Sequence, residues 1–102
     1  MSIFRAILQE LQSLHDKKGA DYGTGDDPYA NVRASERFGI PPWVGALIRQ
    51  QDKIIRLQSF ITKGHLENES VEDSLLDNAV YAIIALVLYR EGVIRKEDDR
   101  TE

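Results

Sequence analysis

The chain has 102 residues and a mass of 11.6 kDa, which is one domain by size with no room for a second. Its 42% hydrophobic and 29% charged residues are ordinary globular usage, and its net charge of −4 excludes a generally basic nucleic-acid surface. Cysteine is absent and His15 and His65 are the only histidines, which excludes disulfides, thiolate zinc sites, cysteine nucleophiles and a histidine-rich metal centre. The longest apolar run, 79–89, has eleven residues, against the ~20 that span a bilayer. The N-terminus turns polar at Gln9-Glu10, too early for a secretory signal. The expectation is a cytoplasmic protein without a membrane partner.

In chain order, residues 3–18 place Phe4, Ile7, Leu8, Leu11 and Leu14 at helical spacing. Ser2 suits the N-cap, Lys17-Lys18 the basic last turn and Gly19 the C′ position. His15 and Lys18 fall on the apolar side. Residues 19–42 are irregular, with all three prolines and the loop chemistry of Asp21-Tyr22-Gly23-Thr24-Gly25-Asp26-Asp27-Pro28. A short helix over 30–38 is expected, stopped by Gly39. Residues 21–33 are expected to stay mobile until a ligand orders them.

Pro41-Pro42 opens the next helix, which runs to Thr62 or Lys63 with Gly64 beyond it. Val44, Leu47, Ile48, Ile54, Ile55 and Ile61 form its apolar stripe. Ser70-Val71-Glu72-Asp73 is a capping-box-like start for the last helix, expected to end at Arg90 or Glu91 with Gly92 as its stop. That helix is apolar nearly all round from Ala79, as a central helix would be. The fold class is therefore all-α: three main helices and one short one in a single domain over 1–92, then a charged, frayed tail over 93–102.

The polar residues carry the functional signal. Glu67, Glu69, Glu72, Asp73 and Asp77 put five acids and no base into eleven residues. Acids near a helix N-terminus are favoured by the macrodipole and can cap it. Asp77, seven residues past Ser70, is beyond that reach, and it shares a face with Asp73. Two like charges so placed need a positive partner. Either a divalent cation supplies it, since Mg²⁺ takes one or two carboxylates plus phosphate oxygens, or Arg49 or Arg56 forms an ion pair. Asp52 flanks the middle stripe among Arg49, Lys53 and Arg56, as a salt-bridged boundary residue or as a third site carboxylate. Carboxylates beside guanidinium and ammonium groups are the parts of a phosphoryl-transfer site. No Walker A ending and no Ser-His-Asp arrangement is legible.

Three pieces follow in order: Lys18-x-x-Asp21-Tyr22-Gly23, then Arg49-x-x-Asp52-Lys53-x-x-Arg56, then Glu72-Asp73-Ser74-Leu75-Leu76-Asp77-x-x-x-Tyr81-Ala82-Ile83. Together they resemble the all-α nucleoside triphosphate pyrophosphatases, the MazG-like superfamily, and within it the short phage and prophage branch associated with nucleotide modification. The resemblance implies a helical protomer that forms a dimer or tetramer. It also implies Mg²⁺ or Mn²⁺ on helix-borne acids and a (d)NTP cut to (d)NMP and pyrophosphate. Asp52, Asp73 and Asp77 are then the catalytic, metal-holding acids, with Glu72 as a further ligand. Arg49, Lys53, Arg56 and Lys18 would neutralise phosphate, and Tyr22 and Asn31 would meet base or sugar. The family's usual Glu-x-x-Glu and Glu-x-x-Asp pairs are altered here: Arg49 or Gln51 stands where a further acid is expected, and Asp73 or Ser74 precedes Asp77. Two alternatives stay open: a module that sequesters nucleotide without cutting it, and a plain helical interaction protein.

Overall fold

Ser2 caps the first helix as its residue type suggests, its Oγ accepting from the Arg5 N–H at 3.1 Å. The computed structural model describes residues 2–25, 27–65 and 70–101, with side chains described as far as 96. Asp26, Glu67 and Glu69, counted above among the loop and cluster acids, lie outside the described residues. Helix α1 (Ile3–Lys17) ends at Lys18, whose N–H bonds to Leu14 O at 3.0 Å. Gly19 is no stop. It opens the single turn α2 (Gly19–Tyr22), followed by α3 (Ala30–Arg33) and a 3₁₀ turn (Ala34–Phe38).

The expected short helix over 30–38 is thus present in two parts, and Gly39 closes it with φ 74°. Helix α4 (Pro42–Lys63) starts and ends where its prolines and Gly64 place it, with Gly64 at φ 82°. Helix α5 (Val71–Thr101) starts on the Ser70 cap, with Ser70 Oγ accepting from the Asp73 N–H at 3.0 Å. The described residues are all-α, with no strand among them.

Gly92 does not stop α5, which continues through the expected tail to Thr101. A glycine inside a helix costs only ~1 kcal/mol relative to alanine. No proline follows it, and Arg95 and Lys96 are good helix formers. The loop over 21–33 also has more structure than its composition suggests. Thr24 N–H bonds to Asp27 O at 2.8 Å, and Tyr29 N–H to Asp27 Oδ1 at 3.1 Å. Arg33 reaches both Asp27 at 3.1 Å and Glu91 of α5 at 2.6 Å. The Tyr29 N–H, seconded by Arg33, holds the Asp27 carboxyl below its ordinary range. Burial opposes the charge on Arg33, but its bonds to Glu91 and Asp27 outweigh that and raise its pKa.

The largest departure concerns which faces meet. Helices α4 and α5 pair, and the core around them is Leu11, Tyr22, Val32, Ala46, Val80, Tyr81, Ile84, Ala85 and Leu88. Helix α4 turns Gly45, Ala46, Arg49, Lys53, Leu57 and Phe60 inward. Its stripe of Leu47, Ile48, Ile54, Ile55 and Ile61 stays exposed. The reason lies in α5, which buries Ser74 and Asp77 on its facing side and so requires polar and cationic partners from α4. Helix α5 is apolar all round but is covered on one side only. Ile83, Leu86 and Tyr89 remain exposed, Tyr89 meeting Trp43 edge-on at 5.6 Å. Helix α1 likewise buries Leu11 and leaves Ile3, Phe4, Ile7 and Leu8 open.

Candidate functional site: a cationic pocket around Asp77

Asp77 is 4% exposed, in the second turn of α5. A carboxylate so buried requires a charge partner, and it has two. Lys18, at the turn from α1 into α2, sets its Nζ 3.0 Å from Oδ1. Lys53 of α4 sets its Nζ 3.1 Å from Oδ2. Lys53 is the more deeply placed, its side chain 15% exposed against 37% for Lys18. The sequence left open a metal ion or an arginine as the partner of Asp77; the structure supplies two lysines.

These three groups line a polar pocket of about 340 Å³ with Asp21, Tyr22, Asn31, Arg49 and Tyr81. Its aromatic floor is well supported. Tyr22, 2% exposed, stacks on His15 at 5.7 Å and meets Tyr81 edge-on at 5.7 Å. His15 in turn shares a 2.7 Å hydrogen bond with the Tyr29 hydroxyl. Burial, then the proximity of Tyr81 and the negative charge of Asp77 and Asp21, pushes the Tyr22 phenol well above its ordinary pKa. Tyr22 therefore keeps its phenolic proton at neutral pH and can donate a hydrogen bond. The Arg49 guanidinium sits 5.5 Å over the Tyr81 ring, a cation–π contact that fixes its position. The Asn31 amide donates to the Asp21 carbonyl at 3.1 Å, tying α3 to α2 across the pocket. Three cations, Lys18, Arg49 and Lys53, face two acids, Asp77 and the exposed Asp21. Among the residues lining the pocket cations outnumber acids, in a chain of net charge −4, and such a lining suits an anion.

The structure brings together Lys18, Tyr22, Asn31, Arg49, Lys53 and Asp77 from the expected site. Asp52, Arg56, Glu72 and Asp73 are exposed and do not line the pocket. Asp52 precedes Lys53 by one residue, about 100° around the helix, so a Lys53 facing α5 turns Asp52 to solvent. Glu72 and Asp73 stand in the first turn of α5, where the helix end and water stabilise them. The expected metal set of Asp52, Asp73, Asp77 and Glu72 is therefore not assembled. Among the described residues no three carboxylate or histidine side chains converge, and both oxygens of Asp77 face ammonium groups. Tyr81 and Asp21 are pocket residues given no role from sequence. The signal for Tyr81 was present, since it follows Asp77 by four and so shares its face.

What fold and site define, among the described residues, is an all-α arrangement with a cation-lined pocket formed by Lys18 at the α1–α2 junction together with α2, α3, α4 and α5. Compared with family models, curated proteins and solved structures, the chain matches none. Among the described residues, no helix is long and apolar enough to cross a membrane.

Proposed function

We propose that the pocket around Asp77 binds the phosphate chain of a nucleoside triphosphate. One observation carries the reading. The three sequence pieces that resemble the MazG-like pyrophosphatases, far apart in the chain, each contribute to one pocket: Lys18, Asp21 and Tyr22 from the first, Arg49 and Lys53 from the second, Asp77 and Tyr81 from the third. Lys18, Arg49 and Lys53 neutralise phosphate charge, Tyr22 donates a hydrogen bond, and Asp77 holds the two ammonium groups in place. The same convergence favours a second reading, in which the bound (d)NTP is hydrolysed to (d)NMP and pyrophosphate with Mg²⁺ or Mn²⁺. Because the described carboxylates do not form the cation site, binding is the step the geometry supports, and turnover rests on the resemblance. Incubation with each (d)NTP, with and without Mg²⁺ or Mn²⁺, tests both. Pyrophosphate release identifies the hydrolase, and retention of intact nucleotide identifies a sequestering module. Absence of binding under every condition leaves the plain interaction protein and overturns the proposal.

The proposed protomer is part of a homo-oligomer. Exposed apolar faces on α1, α4 and α5 supply the surface. Light scattering at micromolar concentration is expected to give a dimer or tetramer; a stable monomer would count against this assembly.

A further inference from the structure

A second pocket, about 230 Å³, adjoins the first and shares two of its walls, Asn31 and Arg49. Its character is opposite. Val32, Phe38, Ile40 and Ile48 give it an apolar lining, and the Phe38 ring at the end of the 3₁₀ turn is 82% exposed. The fold maintains this space by close packing. The 3₁₀ turn lies against α4 at Gly45, where a Cβ would stand 2.7 Å from the Val32 carbonyl and 2.5 Å from Ser35 Oγ. Ser35 Oγ donates to the Ile40 carbonyl at 3.2 Å, fixing the turn at Gly39 between Phe38 and Ile40, which both line the pocket.

We infer that this apolar pocket is the nucleobase subsite, with Phe38 as the stacking platform, Asn31 at the base edge and Arg49 at the junction of base and phosphate. The inference rests on the phosphate reading of the Asp77 pocket and extends it. A ligand that fills both spaces must be anionic at one end and planar and apolar at the other. It must also be continuous past Arg49 and Asn31, and a nucleoside phosphate has that chemistry. Aromatic rings accept any base face, so Phe38 contributes affinity and Asn31, which can both donate and accept, contributes choice among bases.

The test compares inorganic tripolyphosphate with nucleoside triphosphates by calorimetric titration, on the wild-type chain and on Phe38→Ala. Phe38 is exposed, so the variant keeps its fold, which circular dichroism verifies. Wild-type protein is expected to bind at least one nucleoside triphosphate about 10-fold or more tighter than tripolyphosphate, in keeping with base–aromatic stacking. Phe38→Ala is expected to close that gap and leave tripolyphosphate affinity unchanged. Equal affinity for tripolyphosphate and every nucleotide would overturn the base subsite while the phosphate reading stands. A gap that survives Phe38→Ala would also overturn it. So would a variant that loses self-association but keeps full nucleotide affinity, which would assign the ring to a second copy of the chain. Binding of neither ligand would remove both readings.

Discussion

Asp77→Asn is expected to melt at a markedly lower temperature than the wild-type chain and to be rescued by polyphosphate. The substitution keeps the shape of a side chain that is 4% exposed and removes the charge that faces Lys18 at 3.0 Å and Lys53 at 3.1 Å. It also turns an amide N–H₂ toward one of two ammonium groups. Breaking a buried pair from one side typically costs ~3 kcal/mol or more, because it takes an opposite charge away from a desolvated cation. Most of that cost belongs to Lys53, since Lys18 is exposed enough to share its charge with water. An anion entering the pocket restores the missing negative charge. Tripolyphosphate should therefore raise the melting temperature more for the variant than for the wild type, by linkage. Thermal melts with and without tripolyphosphate measure both effects. A variant that melts like the wild type would show that the lysines do not depend on Asp77. One that melts lower and gains nothing from tripolyphosphate would show that the pocket holds no anion.

Gly23→Ala is expected to cost ~2 kcal/mol or more and to abolish nucleotide binding. Gly23 is buried and extended, and any Cβ built on it overlaps the Asp27 carbonyl oxygen and the Pro28 carbonyl group. All of these are backbone atoms, so no side chain can rotate away and the loop itself must move. Overpacking of this kind typically costs ~1–3 kcal/mol. The displaced segment is the one that holds the Thr24–Asp27 bond, the Asp27–Arg33 pair and the Asn31 bond to Asp21. Tyr22 and Asp21 precede it directly, so the pocket loses its α2 wall. Hydrogen exchange over residues 27–33, read beside the melting temperature, measures this. Unchanged protection and stability in the variant would refute the close approach at Gly23.

In a chain this small, Asp77 is stabilised by residues 59 and 24 positions away, and neither lysine belongs to its own helix. Such a pocket forms only when α1, α4 and α5 have docked, so its ligand affinity and the stability of the fold are coupled.

Local chemistry was legible at most helix ends, Gly19 excepted, which opens α2 instead of closing α1. The Ser2 and Ser70 caps, the proline start of α4, and the glycine ends at Gly39 and Gly64 depend on residues within a turn of each other, and each forms as its sequence neighbourhood suggests. Part of the pocket was also legible: Asp77 stood out as an acid inside a helix past its cap, and Lys18, Tyr22, Asn31, Arg49 and Lys53 followed from the resemblance, whereas Asp52, Arg56, Glu72 and Asp73 do not line it. Two things were not. Gly92 reads locally as a stop, yet α5 continues past it, since a ~1 kcal/mol penalty does not break a helix whose following residues favour it. The isoleucine stripe of α4 reads locally as its buried face, yet it stays exposed. Periodicity reports that a face is apolar; it does not say what covers it. Only tertiary structure decided that α4 would turn Arg49 and Lys53 toward a buried carboxylate. A carboxylate buried on α5 requires cationic partners from the helix that faces it, so the Lys53 side of α4 docks and its isoleucine side is left open to water or to a second chain.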